Sequence, residues 1–135
     1  MTTTVFTSGT IIESAWLNDV NAVVYGFLPV VNGGTGASAT VQALSGSGAV
    51  NITSLATTFT STATGNALTL ANGAQGQLKT IIYVAETAGA DTGILTPANL
   101  GGGTTITFNT VGDSVTLQFA GTDWWVIGYR GAVVA

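Results

Sequence analysis

The chain alternates polar and apolar side chains without a break over Ser114-Val115-Thr116-Leu117-Gln118-Phe119. Such alternation places the apolar side chains on one face of an extended strand and the polar ones on the other. Residues 104–109 alternate in the same way, and a third run, residues 123–129, carries two tryptophans. Turn residues rich in Gly, Asp and Thr separate the three runs. The sequence therefore predicts a meander of three strands here.

Further short runs of this kind lie upstream of the meander. They are residues 51–59, 66–70, 78–85 and 92–96, of which 78–85 is the strongest strand candidate. Gly, Asn and Asp separate them, and their many threonines suit a pleated surface. Short strands at this spacing predict a mainly β fold, with residues 49–135 forming a compact antiparallel β-sandwich of jelly-roll type.

The first 48 residues have a different character. Residues 1–26 contain apolar side chains at helical spacing, which predicts a short helix ending at Gly26. A helix of about three turns is marginal alone, so its apolar face must dock on something. Residues 27–48 are predicted to be a glycine-rich linker. The docking face is Trp16, Leu17, Val20, Val23 and Val24, and the linker is centred on Asn32, Gly33, Gly34 and Gly36.

Charge is scarce throughout the chain. Only 6% of the residues are charged, with two basic and six acidic side chains, and 46% are hydrophobic. Nucleic-acid binding needs clustered basic residues, which are absent from this sequence. The best apolar stretch, residues 22–31, is about half the roughly 20 residues that cross a bilayer. With neither histidine nor cysteine, metal and nucleophilic chemistry lose their usual groups, and we expect no enzyme, no cofactor and no metal.

Two small groups of residues remain as candidates for function. Glycoside hydrolysis needs only two carboxylates, so Glu86, Asp91, Asp113 and Asp123 must be considered. Asp113 and Asp123 stand at turns, where aspartate usually bonds its own backbone, and we expect a structural role for them. Trp124 and Trp125 are adjacent in a predicted strand, so one belongs in the core and the other outside, as an interface or glycan contact.

Several segments resemble parts of bacteriophage virion proteins. Residues 6–21 (FTSGTIIESAWLNDVN) resemble the virion-anchoring N-terminal segment of phage tail fibres and tailspikes, and residues 29–37 (PVVNGGTGA) resemble a linker of tail fibres. Residues 76–82 and 102–117 are similar to small β-domains of fibre and head-decoration proteins. The resemblance implies a virion location after synthesis in the host bacterial cytoplasm. It also implies a homotrimer that binds other virion proteins.

Three functions stay open at this point. The first is a short trimeric fibre-like appendage that docks by its N-terminal segment and projects its β-domain. The second is a capsid decoration or cement protein, bound in many copies at capsomer junctions. The third is a module that binds a host surface glycan through an exposed tryptophan.

Overall fold

The computed structural model describes residues 41–135, which form ten β-strands in two sheets. Sheet A has the strand order β1-β3-β5-β8-β9, and sheet B has the order β10-β7-β6-β4-β2. The strands are β1 (Gln42–Ser45), β2 (Gly48–Val50), β3 (Ala56–Ser61), β4 (Asn66–Leu70), β5 (Leu78–Glu86), β6 (Gly93–Pro97), β7 (Ile106–Phe108), β8 (Ser114–Ala120), β9 (Asp123–Arg130) and β10 (Val133–Val134). The predicted mainly β class is therefore confirmed.

The first six strands form a short solenoid. They alternate between the sheets, so that β1, β3 and β5 pair in parallel in sheet A while β2, β4 and β6 pair in parallel in sheet B. The chain thus winds three times between the same two sheets, and each turn stacks on the one before. Leu44, Phe59 and Tyr83 occupy one register position in successive turns. This is the arrangement of a small β-solenoid.

The last four strands extend this solenoid with antiparallel pairs. β7 runs antiparallel to β6, and β8 runs antiparallel to β5. β9 and β10 then extend the two sheets by one strand each. The prediction of an antiparallel sandwich of jelly-roll type was wrong for β1–β6. These strands pair in parallel, because successive turns of a solenoid stack in the same direction. The predicted meander also fails at its first member, since β7 belongs to sheet B and not beside β8.

The core lies between the two sheets and takes side chains from both. Phe59 of sheet A packs against Phe108 of sheet B, with ring centroids 6.4 Å apart. Gly93 of β6 lies against the Phe59 ring, where an added Cβ would come within 2.5 Å of it. The buried apolar residues are Val50, Phe59, Leu68, Leu70, Ile81, Tyr83, Leu95, Ile106, Phe108, Val115, Leu117, Phe119, Trp124 and Ala132.

Of the two N-terminal predictions, only the linker reaches into the described residues. The linker predicted at residues 27–48 overlaps the β-domain, because β1 and the first residue of β2 fall within it. β1 is held by parallel pairing with β3, a long-range partner that local turn chemistry does not reveal. The helix predicted in residues 1–26 lies outside the described residues.

Candidate functional site

Charged side chains in residues 41–135 avoid the middle of both sheets. Three are first or last residues of strands and two directly follow turns, namely Glu86, Asp123, Arg130, Asp91 and Asp113. The sixth, Lys79, lies in the interior. Between the ends of its strands, neither sheet therefore carries a charge on its outer face.

Two of the carboxylates, Asp91 and Asp113, accept hydrogen bonds within the turns at which they lie. Asp113 accepts hydrogen bonds from the backbone amides of Asn109 and Thr110, at 2.8 and 3.0 Å. Asp91 accepts from the Ala88 amide and from the Thr87 hydroxyl, each at 3.0 Å. An aspartate in such a turn satisfies amides that would otherwise lack a partner. The expected structural role of Asp113 is seen here.

The other two carboxylates also have hydrogen-bond donors. Glu86 accepts from the buried Tyr83 hydroxyl at 3.2 Å, and Asp123 accepts from the Thr122 hydroxyl at 3.1 Å. Among residues 41–135, no three His, Cys, Asp or Glu side chains come together as a metal-ligand group. The arrangement is that of strand ends and turns stabilised by acids.

Lys79 is the one buried cation of the described domain. Its ammonium group donates to the backbone oxygen of Ser54 at 2.8 Å and approaches the Ser54 hydroxyl at 3.2 Å. Ser54 is fixed in turn by Asn51, whose side-chain oxygen accepts from the Ser54 amide and hydroxyl. Burial lowers the pKa of Lys79 to about 8. The contacts tie the β2–β3 connection to sheet A.

The outer face of sheet A, here called face A, carries no charged side chain between the ends of its strands. Four rows of paired residues cross it. They are Leu78–Gln118–Trp125, Ala56–Thr80–Thr116–Gly128, Ala43–Thr58–Ile82–Ser114 and Ser45–Thr60–Ala85. The second row is tied together by the hydroxyls of Thr80 and Thr116, which lie 3.2 Å apart. Five large apolar side chains on or beside these rows are exposed, namely Leu78, Ile82, Val84, Trp125 and Ile127.

The outer face of sheet B, called face B, is also uncharged but carries less apolar bulk. Its rows are Ala67–Ile94–Thr107–Val133 and Ala49–Thr69–Thr96. Its large exposed apolar side chains are Ile94 and Val133, the latter on the edge strand β10. The exposed apolar side chains of the domain are therefore concentrated on face A.

The two adjacent tryptophans point to opposite sides of sheet A, as strand alternation predicts. Trp124 is fully buried, and its indole nitrogen donates to the Ala71 oxygen at 2.9 Å. Trp125 is 47% exposed, and its indole nitrogen donates to the Ala120 oxygen at 3.2 Å. Gly101 lies under the Trp125 ring, where an added Cβ would come within 2.7 Å of it. Trp124 is thus a core residue, and only Trp125 is placed to contact a partner.

The remaining predicted site residues lie outside the described part of the chain. They are the docking residues Trp16, Leu17, Val20, Val23 and Val24 and the linker residues Asn32, Gly33, Gly34 and Gly36. Within residues 41–135, no helix has the length and apolar character needed to cross a membrane.

Sequence reasoning missed Leu78 and Ile82 as surface candidates. Ile82 belongs to the apolar run 81–85, in which Ile81 and Tyr83 face the core while Ile82 and Val84 are exposed. Leu78 is separated from this run by Lys79 and Thr80. A continuous apolar run is typical of strands that are covered on both faces. That pattern was a usable signal for a contact surface.

Comparison of the sequence with protein-family models finds no match, and comparison with curated proteins finds no significant one.

Proposed function

We propose that this chain is a non-enzymatic structural protein of a bacteriophage particle, a short homotrimeric fibre-like appendage. Its N-terminal segment docks on the particle and its β-domain projects outward. One observation supports this most strongly: neither sheet of the described domain carries a charge on its outer face between the strand ends. Soluble surfaces usually have roughly 25–35% charged residues, so uncharged faces favour contact with other chains.

The ionisable groups of the domain also favour a structural role. The buried acids Asp91 and Asp113 are occupied by turn amides, and the amine with a lowered pKa, that of Lys79, is enclosed and bound to Ser54. Groups used in catalysis need access to a substrate. These groups instead hold loops to the sheets.

The test of this proposal is to purify the phage particles and quantify the chain by mass spectrometry. A structural appendage is present in purified particles at a few copies each, in multiples of three. Absence of the chain from the particles would overturn the proposal. Presence in many copies, scaling with the number of capsomers, would instead establish the capsid cement function.

Trp125 favours a second candidate function, binding of a host surface glycan. Its ring is fixed from below by Gly101 and at its edge by the Ala120 oxygen, so a rigid, half-exposed aromatic plane is available to a sugar. Aromatic planes of this kind bind with little loss of side-chain freedom. In glycan binding assays, Trp125→Ala should abolish binding if this function is real. Tyr129→Ala, which removes another exposed aromatic from β9, is the matched control.

A further inference from the structure

We propose that face A is the surface by which three copies of this chain pack around a common axis, with β5 nearest to that axis. This inference rests on the proposed trimeric function and names the contact surface within it. The occupant of face A is thus the same face of two other copies.

The charge pattern favours identical chains as the partners. The chain has a net charge of −4, so copies of it repel one another wherever their acids meet. Face A removes that obstacle, because Glu86, Asp123 and Arg130 stand only at the ends of its strands. An uncharged, partly apolar face is best matched by a surface that is equally free of charge. Among residues 41–135, face A and face B have this property, and face A carries more apolar bulk.

The width of sheet A allows three copies and excludes four, and the number three itself comes from the proposed function. Its five strands, spaced about 4.8 Å apart, span about 19 Å from first to last. Three such sheets forming a triangle would each lie about 5.5 Å from the axis, close to the roughly 5 Å that one sheet fills with side chains when sheets pack face to face. Four sheets would each lie about 9.5 Å from the axis and leave a channel. Three copies therefore close with a filled interior.

The central position of β5 places its outer side chains at the axis. Leu78, Ile82 and Val84 are the exposed apolar side chains of this strand. Thr80 lies between Leu78 and Ile82, with its hydroxyl beside that of Thr116. Closure would therefore stack two apolar layers around one threonine layer. Trp125 shares the row of Leu78 and adds to the first of these layers.

Gly128 leaves room for a close neighbour at this face. It lies inside β9, opposite Thr116 in the second row, where glycine weakens a strand. Its φ is not in the positive region, and a Cβ added there would meet nothing within 4 Å. The single chain thus has no steric need for glycine at this position. Glycine in a strand often marks a β-bulge, which β9 has next to Gly128, or the approach of another backbone, which the next copy supplies in the trimer.

The test compares two matched isoleucines in the full chain by light scattering. Ile82 and Ile94 are 36% and 37% exposed, and each belongs to the central strand of its five-stranded sheet. Ile82→Lys places three like charges at the axis and should convert the trimer into monomers. Ile94→Lys adds the same charge on face B and should leave the trimer intact. Circular dichroism establishes that each variant is folded, and Leu78→Lys replaces Ile82→Lys if the latter does not fold.

Gly128→Val is a second test of whether face A forms the trimer contact. Valine suits a strand, so the variant should fold at least as well as the wild type, yet it should lose the trimer. A wild-type trimer that survives both Ile82→Lys and Gly128→Val would overturn the assignment of face A while leaving the proposed function standing. A trimer lost on Ile94→Lys but kept on Ile82→Lys would assign face B instead. A monomeric wild type would overturn the inference together with the trimer on which it rests.

Discussion

The Lys79 ammonium group lies 2.8 Å from the backbone oxygen of Ser54, inside the described domain. This contact joins the inner side of β5 to the connection between β2 and β3. A lysine is rarely buried, because its charged form loses its hydration there. The position of Lys79 therefore affects how the stability of the domain depends on pH.

The free energy of unfolding should rise with pH from about pH 8. Burial lowers the pKa of Lys79 from 10.5 to about 8, so the folded chain releases this proton before the unfolded chain does. Below about pH 8 both states are protonated and the contribution is constant. Above it the unfolded state binds more protons, which stabilises the folded state by up to about 3 kcal/mol as pH approaches 10.5.

Tyr83 should reverse this trend at higher pH. Burial, followed by the negative charge of Glu86, raises the pKa of Tyr83 above 10.0, so the unfolded chain ionises first and stability falls. Urea unfolding across this range should show maximum stability near pH 10. In Lys79→Met the rise from pH 8 should be absent while the fall remains. A wild-type curve that is flat between pH 8 and 10 would show that folding does not lower the pKa of Lys79.

Gly131→Ala should destabilise the domain more than Gly121→Ala. Both glycines have left-handed backbones, with φ of 71° and 69°, so each substitution costs about 1–2 kcal/mol in backbone strain. A Cβ at Gly131 would also overlap the Asp113 carboxylate, whereas one at Gly121 would meet nothing within 4 Å. The additional loss at Gly131 should be about 1–3 kcal/mol, measured by urea unfolding. Equal losses would mean that the Asp113 carboxylate can move away freely.

Gly93→Ala should destabilise the core through Phe59. The added methyl group would overlap the Phe59 ring between the two sheets, and overpacking of this kind costs about 1–3 kcal/mol. Gly89→Ala, at a glycine with open space around it, is the control and should change stability little. Combining Gly93→Ala with Phe59→Leu should recover part of the loss relative to the sum of the single variants. Strict additivity would contradict the proposed overlap.

The sequence predicted the strands better than their pairing. The run 66–70 coincides with β4, and the predicted strands at 78–85 and 114–119 differ from β5 and β8 by one residue each. Alternation and turn residues are local signals, so strands bounded by them are readable from sequence. Pairing is a long-range property. Nothing within β1 indicates that Gln42 lies opposite Thr57. For this reason the sequence predicted antiparallel pairing where the strands of the solenoid pair in parallel.

The candidate surface was predictable only in part. Alternation alone separated buried Trp124 from exposed Trp125. It did not identify Ile82 as a surface residue, because an apolar side chain in a strand is expected in the core. The run of adjacent apolar residues around Ile82 shows that one side of β5 is apolar outside the core, but which side packs inward depends on the pairing of the two sheets, which the sequence does not specify.

The mass of the purified full chain in solution tests the central claim most directly. Light scattering should give a single species at three times the chain mass of 13.5 kDa. A single species at the mass of one chain, unchanged across concentration, would contradict the account that the uncharged sheet faces of this protein serve association between copies.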